Sequence, residues 1–277
     1  MSCMDGCLIK CSNIYPDASG KKICSTLQYE NIALLGSNLG FTNLDPVAKL
    51  NHECDDIGVD AIEAGAVIGV AIDMGLGKWG DLDGCMALMK EIRNNTLLGK
   101  VLGHGVQVTG DVLGSRRIPA AKGQSFAGYD PRTLKGNGVT YAMSPMGADH
   151  TAGNCFGSRG EVNPLGTEKQ GDLSMTLQYK MCALDSLGFC IFARPPLFKD
   201  PQKMATLVNS LLGTDLSVDQ LWEIMGIKAV RTEREFNIRA GLSPANDKLP
   251  EYVYVEPLPP TNEVFDLSEE EMLKAIV

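Results

Sequence analysis

Two short stretches of the sequence share a pattern that could bind a cofactor. Residues 185–190 read Asp-Ser-Leu-Gly-Phe-Cys, and residues 55–60 read Asp-Asp-Ile-Gly-Val-Asp. An ionised carboxylate can accept two parallel N–H bonds, and glycine lets a backbone approach a flat ring without a Cβ clash. Each motif alone is equally typical of a helix-end cap. The pair, which we call the twin aspartate turns, indicates a redox cofactor site when it is taken together with the cysteines described next.

Closely spaced cysteines point to a second kind of chemistry. Cys3, Cys7 and Cys11 lie in a loop-like segment at the start of the sequence. Such spacing lets one loop reach three corners of a cubane iron–sulfur cluster, with a remote cysteine as the fourth ligand. Cys190, inside the second aspartate turn, is the candidate for that position. The alternative is three unconnected thiols.

The remaining cysteines predict no disulfide framework, because thiols stay reduced in an intracellular chain. Four of them lie in helix-like or apolar surroundings, and we interpret them as packing residues: Cys54, Cys85, Cys155 and Cys182. Cys24 has no assignment from the sequence.

Composition bounds the class of protein. The 277 residues are 44% hydrophobic and 21% charged, which is typical of one large or two ordinary globular domains. A net charge of −9 argues against nucleic acid as a partner, because a phosphate backbone requires a basic surface. No apolar run is long enough for a transmembrane helix, and the polar N-terminus does not fit a signal peptide. We therefore predict a cytoplasmic protein without a membrane partner.

Helical periodicity dominates the chain and strand patterns are scarce, so the predicted fold is mainly α. A shift in composition at Pro119 divides the sequence into predicted domains 1–118 and 119–277. Pro195 and Pro196 are expected to stop any continuation of the helix that delivers the second aspartate turn.

The twin aspartate turns are expected at the ends of predicted helices. A helix over 46–57, opened by Asp45 as N-cap, delivers the first turn. Asp60 then caps a further helix over roughly 61–75. A helix over 171–186 delivers the second turn.

With these motifs in place, the sequence resembles the tungsten- or molybdenum-pterin aldehyde ferredoxin oxidoreductases over essentially its whole length. The stretch from Arg231 to Gly241 and the segment Asp247-x-Leu249-Pro250-Glu251 also match that family. The resemblance implies two packed helical domains like domains 2 and 3 of the family. It further implies that the family's N-terminal β domain, absent from this sequence, is supplied by a separate polypeptide.

The resemblance assigns roles to the residues named above and to a few others. In this interpretation one pterin contacts Asp55 and Asp60, the other is flanked by Asp185, Phe189 and Cys190, and a [4Fe-4S] cluster binds Cys3, Cys7, Cys11 and Cys190.

Two further residues match the family's proton-handling groups. Glu30, in Tyr29-Glu30, and His150, in Gly147-Ala148-Asp149-His150, would serve as acid and base in the oxidation of a hydrated aldehyde. Without the resemblance, Glu30 is equally consistent with an exposed helix carboxylate. His150 by itself is more typical of a structural histidine.

The implied activity is oxidation of an aldehyde to a carboxylic acid, with electrons leaving through the cluster to ferredoxin. Three alternatives remain open. The chain could be a non-catalytic electron-transfer or assembly subunit, a gene fragment without function, or a related reductase of another substrate such as an aromatic thioester.

Overall fold

The computed structural model of the protein describes residues 3–277. Helices dominate this part of the chain, and β-structure is limited there to two short antiparallel hairpins and an isolated bridge. The prediction of a mainly α fold is confirmed. No single helix in the described part is long and apolar enough to cross a membrane. The pair Gln170–Ser186 and Ile191–Lys199 meets that condition only together, across a bend of 117°.

The chain forms two compact units, divided between Gly128 and Tyr129. The sequence placed this division near residue 118. The difference arises because the segment before Gly128 is tied to the first unit. The backbone N–H of Ser125 donates to Glu63 Oε2 at 3.0 Å, and that of Gly128 donates to a second carboxylate, Glu30 Oε2, at 2.6 Å.

The first unit is built around one buried helix, α3. In chain order its elements are β1 (Tyr15–Pro16), β2 (Lys22–Cys24), α1 (Tyr29–Leu35), α2 (Leu44–Ile57), α3 (Ala61–Asp73), α4 (Leu82–Arg93), α5 (Leu97–Leu102), α6 (Val106–Leu113), β3 (Ala120–Ala121) and β4 (Gln124–Ser125).

Small residues in α3 allow its neighbours to approach the backbone closely. Residues 64–72 of this helix are all buried. A Cβ built on Gly65 would lie 2.6 Å from the carbonyl oxygen of Leu34, so α1 and α3 pack in direct backbone contact at this point. Asp60 caps α3 as predicted, because its side chain accepts the N–H of Glu63 at 2.7 Å.

Helix α2 begins two residues earlier than predicted, and the prediction of Asp45 as its N-cap is wrong. Asn43 is the N-cap, and its side chain accepts the backbone N–H of Asp45 at 3.2 Å. Asparagine has the same capping chemistry as aspartate, so the upstream residue takes the role. The carboxylate of Asp45 instead accepts the hydroxyl of Tyr15 at 2.6 Å.

The second unit surrounds the longest helix, α8. In chain order its elements are α7 (Lys135–Met143), α8 (Gln170–Ser186), α9 (Arg194–Lys199), α10 (Pro201–Leu212), α11 (Val218–Leu221), α12 (Lys228–Arg239), α13 (Tyr252–Val255) and α14 (Glu269–Leu273). A π-helical stretch, Trp222–Ile227, joins α11 to α12, and short 3₁₀ turns occupy Cys155–Ser158, Ile191–Ala193 and Pro244–Asn246.

Helix α8 ends at Ser186 and does not continue to Pro195 and Pro196, which instead begin a new helix. Helix α9 begins at Arg194 and contains both prolines in its first turn. Proline is tolerated there because the first backbone N–H groups of a helix have no partner within the helix.

A buried lysine binds the C-terminal segment to the start of α7. The side chain of Lys135 is 1% exposed, and its Nζ lies 3.0 Å from Glu263 Oε2 and 2.7 Å from Asp266 Oδ1. An ammonium group without a counter-charge is costly to bury. The burial of the Lys135 side chain therefore depends on these two carboxylates.

We expect the double substitution Glu263→Gln and Asp266→Asn to lower the free energy of unfolding by about 3 kcal/mol, because it leaves the Lys135 ammonium buried without a carboxylate. Denaturant unfolding monitored by circular dichroism measures the change. The matched control is Glu235→Gln, which removes the exposed ion pair with Arg239 and should change stability by less than about 1 kcal/mol. Equal losses in the two variants would contradict the expectation.

Candidate functional site

The first aspartate turn ends helix α2. Gly58 adopts a left-handed conformation with φ 83°, and the N–H of Val59 donates to the carbonyl oxygen of Cys54 at 3.0 Å. Asp55 lies in the last helical turn with an exposed side chain. A Cβ built on Gly58 would have no neighbour within 4 Å, so the backbone is open to a ligand here.

The second turn repeats this geometry at the end of α8. Gly188 has φ 71°, and the N–H of Phe189 donates to the carbonyl oxygen of Leu184 at 3.0 Å. Asp185 takes the position that Asp55 has in the first turn and is likewise exposed, and space around Gly188 is again open. Each unit therefore offers a carboxylate and an open glycine backbone in the same local arrangement.

Neither carboxylate caps its helix. The C-terminal end of a helix carries the negative end of the helix dipole, which disfavours an anion in the last turn. Desolvation by neighbouring groups and the charge of Asp149 raise the pKa of Asp185. A ligand that donates N–H groups would offset this repulsion at Asp185 and would suit Asp55 equally. The helix-end alternative accounts for the two glycine turns, which end both helices in a left-handed conformation, and the carboxylates take no part in those caps.

The sixth residues of the two motifs, Asp60 and Cys190, make different contacts. Asp60 uses one oxygen to cap α3, as described above. Cys190 occupies the N-cap position of the 3₁₀ turn Ile191–Ala193, but its thiol makes no capping bond and is exposed. The thiol is therefore accessible to a metal.

A polar groove of about 420 Å³ adjoins the first aspartate. Its lining residues are Lys22, Ile23, Cys24, Ser25, His52 and Asp55. The groove and the open glycine turn together fit a flat polar ligand that donates to the Asp55 carboxylate. Sequence reasoning missed a supporting residue here, the buried Asn51, whose amide donates to Asp55 Oδ2 at 3.3 Å.

The N-terminal cysteine loop favours thiolate at one of its members. Backbone N–H groups of Lys10 and Ile9 lower the pKa of Cys7, which stabilises the form that binds iron. Cys3 and Cys11 are exposed. The donor chemistry thus fits an iron–sulfur cluster, although among residues 3–277 no three Cys, His, Asp or Glu side chains are gathered as a metal-binding group.

Three other cysteines behave as packing residues. Burial disfavours their thiolate forms and raises the pKa of Cys54 and Cys155 to about 12 and that of Cys85 to about 11. The interpretation of these three as packing residues is confirmed. Cys182 is half-buried, and Cys24 is buried beside the groove.

Glu30 lies in the first turn of α1 and is buried. It is 9% exposed, so the alternative of an exposed helix carboxylate is wrong. Its Oε2 accepts the N–H of Gly128 at 2.6 Å, while the hydroxyl of Tyr29 donates to the carbonyl of the same glycine at 2.9 Å. Gly128 is thereby held on both sides by consecutive residues of α1.

His150 is half-buried between an aromatic ring and a carboxylate. Its ring stacks on Tyr129 with centroids 5.9 Å apart, and its Nδ1 lies 3.7 Å from Asp149 Oδ1. Asp149 is itself fixed, because its carboxylate accepts the N–H and the hydroxyl of Thr151 at 3.1 and 2.6 Å. The imidazole is therefore held with Nδ1 towards an anion.

Helix α12 anchors the segment that leads to His150. Arg234 donates to the carbonyl of Met143 at 3.1 Å and pairs with Asp247 at 2.5 Å, and Asn237 donates to the carbonyl of Pro145 at 2.7 Å. The stretches near residues 231–241 and 247 thus support the histidine segment by hydrogen bonds to its backbone.

The sequence is similar to those of known proteins over most of its length. Residues 1–276 match the family model described as aldehyde ferredoxin oxidoreductase, domains 2 and 3. The tungsten-containing aldehyde ferredoxin oxidoreductase of Thermococcus kodakarensis is 28% identical over 254 residues, which cover 84% of this chain and 42% of that protein. The corresponding protein of Pyrococcus furiosus is also 28% identical, with the same coverage.

A relative of different description matches as well. The aliphatic sulfonate oxidoreductase, WOR-like subunit, of Pyrococcus furiosus is 24% identical over 289 residues, covering 92% of this chain and 42% of that protein. The chain spans less than half the length of each of these three relatives. Because the family model covers nearly all of the sequence, the chain belongs to the aldehyde ferredoxin oxidoreductase family and corresponds to its domains 2 and 3.

Proposed function

We propose that the chain is the cofactor-binding helical part of a tungsten- or molybdenum-bis-pterin oxidoreductase that oxidises aldehydes to carboxylic acids. The observation that carries the proposal is the repeated turn geometry of the twin aspartate turns, in which Asp55 and Asp185 occupy the same position relative to an open glycine. A pair of equivalent acceptor sites suits a cofactor made of two equivalent pterins. When bound, the metallopterin supplies the oxygen-transfer and redox chemistry.

The aspartates bind and orient the pterins in this proposal. A pterin presents a 2-amino group beside a ring N–H, and one ionised carboxylate accepts both in parallel. The glycines at 58 and 188 let the turns approach the ring. Asp60 and Phe189 lie next to these contacts in sequence, and we place them in the walls of the two pterin sites.

A [4Fe-4S] cluster would supply electron transfer in the proposed enzyme. Its ligands are Cys3, Cys7, Cys11 and Cys190. The lowered pKa of Cys7 and the exposed thiol of Cys190 support this set. Ferredoxin is the proposed acceptor, which is consistent with the name of the family.

Proton handling falls to Glu30 and His150. The bond from Gly128 to Glu30 Oε2 orients that carboxyl group, and we assign proton exchange to Glu30. Asp149 faces His150 Nδ1, which favours a proton on that nitrogen and makes Nε2 the exchanging atom. Oxidation of a hydrated aldehyde releases protons as well as electrons, and these two groups would accept them.

The proposed enzyme includes polypeptide that completes the cofactor cleft, such as a β-rich domain. The relatives are more than twice as long as the part that matches.

The match to the sulfonate oxidoreductase subunit supports aliphatic sulfonates as a second candidate class of substrate, beside aldehydes. Turnover with a panel of aldehydes and aliphatic sulfonates, followed by viologen dye reduction under anaerobic conditions, distinguishes the two classes. Turnover of neither class by the assembled holoenzyme would contradict the proposed activity.

We expect Cys190→Ser to reduce the iron content of the anaerobically purified holoprotein and to abolish or alter the electron paramagnetic resonance signal of its reduced cluster, because a serine oxygen is a poor replacement for a thiolate ligand. The matched control is Cys182→Ser, which changes a half-buried thiol on α8 in the same unit. The ligand assignment fails if Cys190→Ser keeps four irons per chain and an unchanged signal.

We expect Asp55→Asn and Asp185→Asn each to lower the pterin retained by the purified holoprotein about tenfold. Each change turns an acceptor oxygen into a donor that faces the donor edge of the pterin, and an unpaired buried donor costs about 1–3 kcal/mol. Oxidation in acid followed by fluorescence measures the released pterin.

The adjacent Asp56→Asn provides a matched control. This residue pairs with Arg93 at 2.6 Å on the surface, and its loss should leave pterin content unchanged. Full pterin content in both Asp55→Asn and Asp185→Asn would refute the assignment of the twin aspartate turns.

A further inference from the structure

We propose that Asn51 is a positioning residue for the first pterin, acting through Asp55 at the end of a directed chain of amides. The inference rests on the proposed function of Asp55 as a pterin acceptor. It adds residues outside the aspartate motif to that site, and it connects the site to the first turn of α1, where Glu30 lies.

The chain of amides, which we call the amide relay, has three hydrogen bonds. The backbone N–H of Gln28 donates to Asn31 Oδ1 at 3.0 Å. The amide of Asn31 donates to Asn51 Oδ1 at 2.6 Å, and the amide of Asn51 donates to Asp55 Oδ2 at 3.3 Å. The relay therefore begins at the N-cap of α1 and ends at the carboxylate of the first aspartate turn.

The direction of the relay is fixed by its first member. A backbone N–H can only donate, so it must meet the oxygen of Asn31 and not its NH₂ group. Asn31 then has only its NH₂ group to offer to Asn51, whose oxygen must face it. The NH₂ group of Asn51 is thereby left to face Asp55. Because the backbone N–H of Gln28 can only donate, the other end of the relay must present a donor to Asp55.

Burial makes this arrangement costly to disturb. Asn51 is 2% exposed, and the thiol of Cys24 beside it is equally buried. An amide that rotated would place its oxygen against the Asp55 carboxylate and leave buried groups unpaired. The relay therefore holds the Asp55 carboxylate in one orientation on the wall of the polar groove.

The relay orients the Asp55 carboxylate before the pterin binds. Asp55 Oδ2 has lone pairs beyond the one that Asn51 uses, and Oδ1 is the second acceptor, so both oxygens can still meet the two-donor edge of a pterin. An acceptor that is already oriented loses less side-chain entropy on binding. We therefore expect pterin retention to depend on Asn51 although Asn51 itself does not touch the pterin.

The test compares substitutions of nearly identical shape in the anaerobically purified holoprotein. Asn51→Asp keeps the acceptor for Asn31 but points a carboxylate oxygen at Asp55, and we expect it to lower pterin per chain about tenfold. The matched control is Asn38→Asp. Asn38 belongs to the same unit and donates to the backbone carbonyls of Leu34 and Gly65, so its loss weakens the fold without touching the relay. Pterin content and denaturant stability are measured for both.

The exchange variant Asn51→Asp with Asp55→Asn separates positioning from a merely structural role. It re-forms the hydrogen bond between positions 51 and 55 with the opposite direction, so stability should recover. Pterin should not recover, because the acceptor is no longer at position 55. If Asn51→Asp itself does not fold, Asn31→Asp tests the relay one step upstream and should lower pterin in the same direction.

Each other outcome has a defined meaning. Full pterin retention in Asp55→Asn would contradict the proposed function itself. Loss of pterin in Asp55→Asn but not in Asn51→Asp or Asn31→Asp would overturn the relay. Equal loss of pterin in Asn51→Asp and Asn38→Asp at equal stability, or recovery of both stability and pterin in the exchange variant, would assign these residues a structural role only and would also overturn it.

Discussion

The left-handed glycine turn at the end of a helix is the constraint on which the candidate site depends. At Gly58 and Gly188 the chain reverses direction, and the next residue returns its N–H to the carbonyl that precedes the aspartate. One backbone geometry thus ends the helix, exposes the carboxylate in its last turn and clears space for a ligand. A side chain at either glycine would strain the turn, because left-handed φ values disfavour residues with a Cβ.

Helix α3, which follows the first turn, and helix α8, which carries the second, are positioned by glycines of a second kind, which permit close packing. A Cβ on Gly65 would press on the backbone of α1, and one on Gly226 would lie 2.3 Å from the carbonyl oxygen of Tyr179 in α8. Such contacts fix the depth at which α3 and α8 lie in their units. The carboxylate at the end of α8 and the cap at the start of α3 are therefore set by packing as much as by local sequence.

The sequence predicted the parts of the fold that short-range chemistry determines. Helices α3 and α8 and the Asp60 cap follow from patterns within a few residues, and so do both aspartate turns. Helix α7 was missed because Gly136 and Gly138 make it a poor helix by propensity. Its buried Lys135 depends on carboxylates 128 and 131 residues away. The amide relay was missed for the same reason, since Asn31 and Asn51 meet only in the folded unit.

In the proposed enzyme, each of the twin aspartate turns holds one pterin of the metal cofactor. The most direct measurement is the molar ratio of pterin, metal and polypeptide in the anaerobically purified holoprotein, from acid-released pterin fluorescence and elemental analysis for tungsten and molybdenum on the same sample. Two pterins and one tungsten or molybdenum for each copy of this chain are the result expected of this arrangement. A single pterin per metal, or a metal bound without pterin, would contradict it.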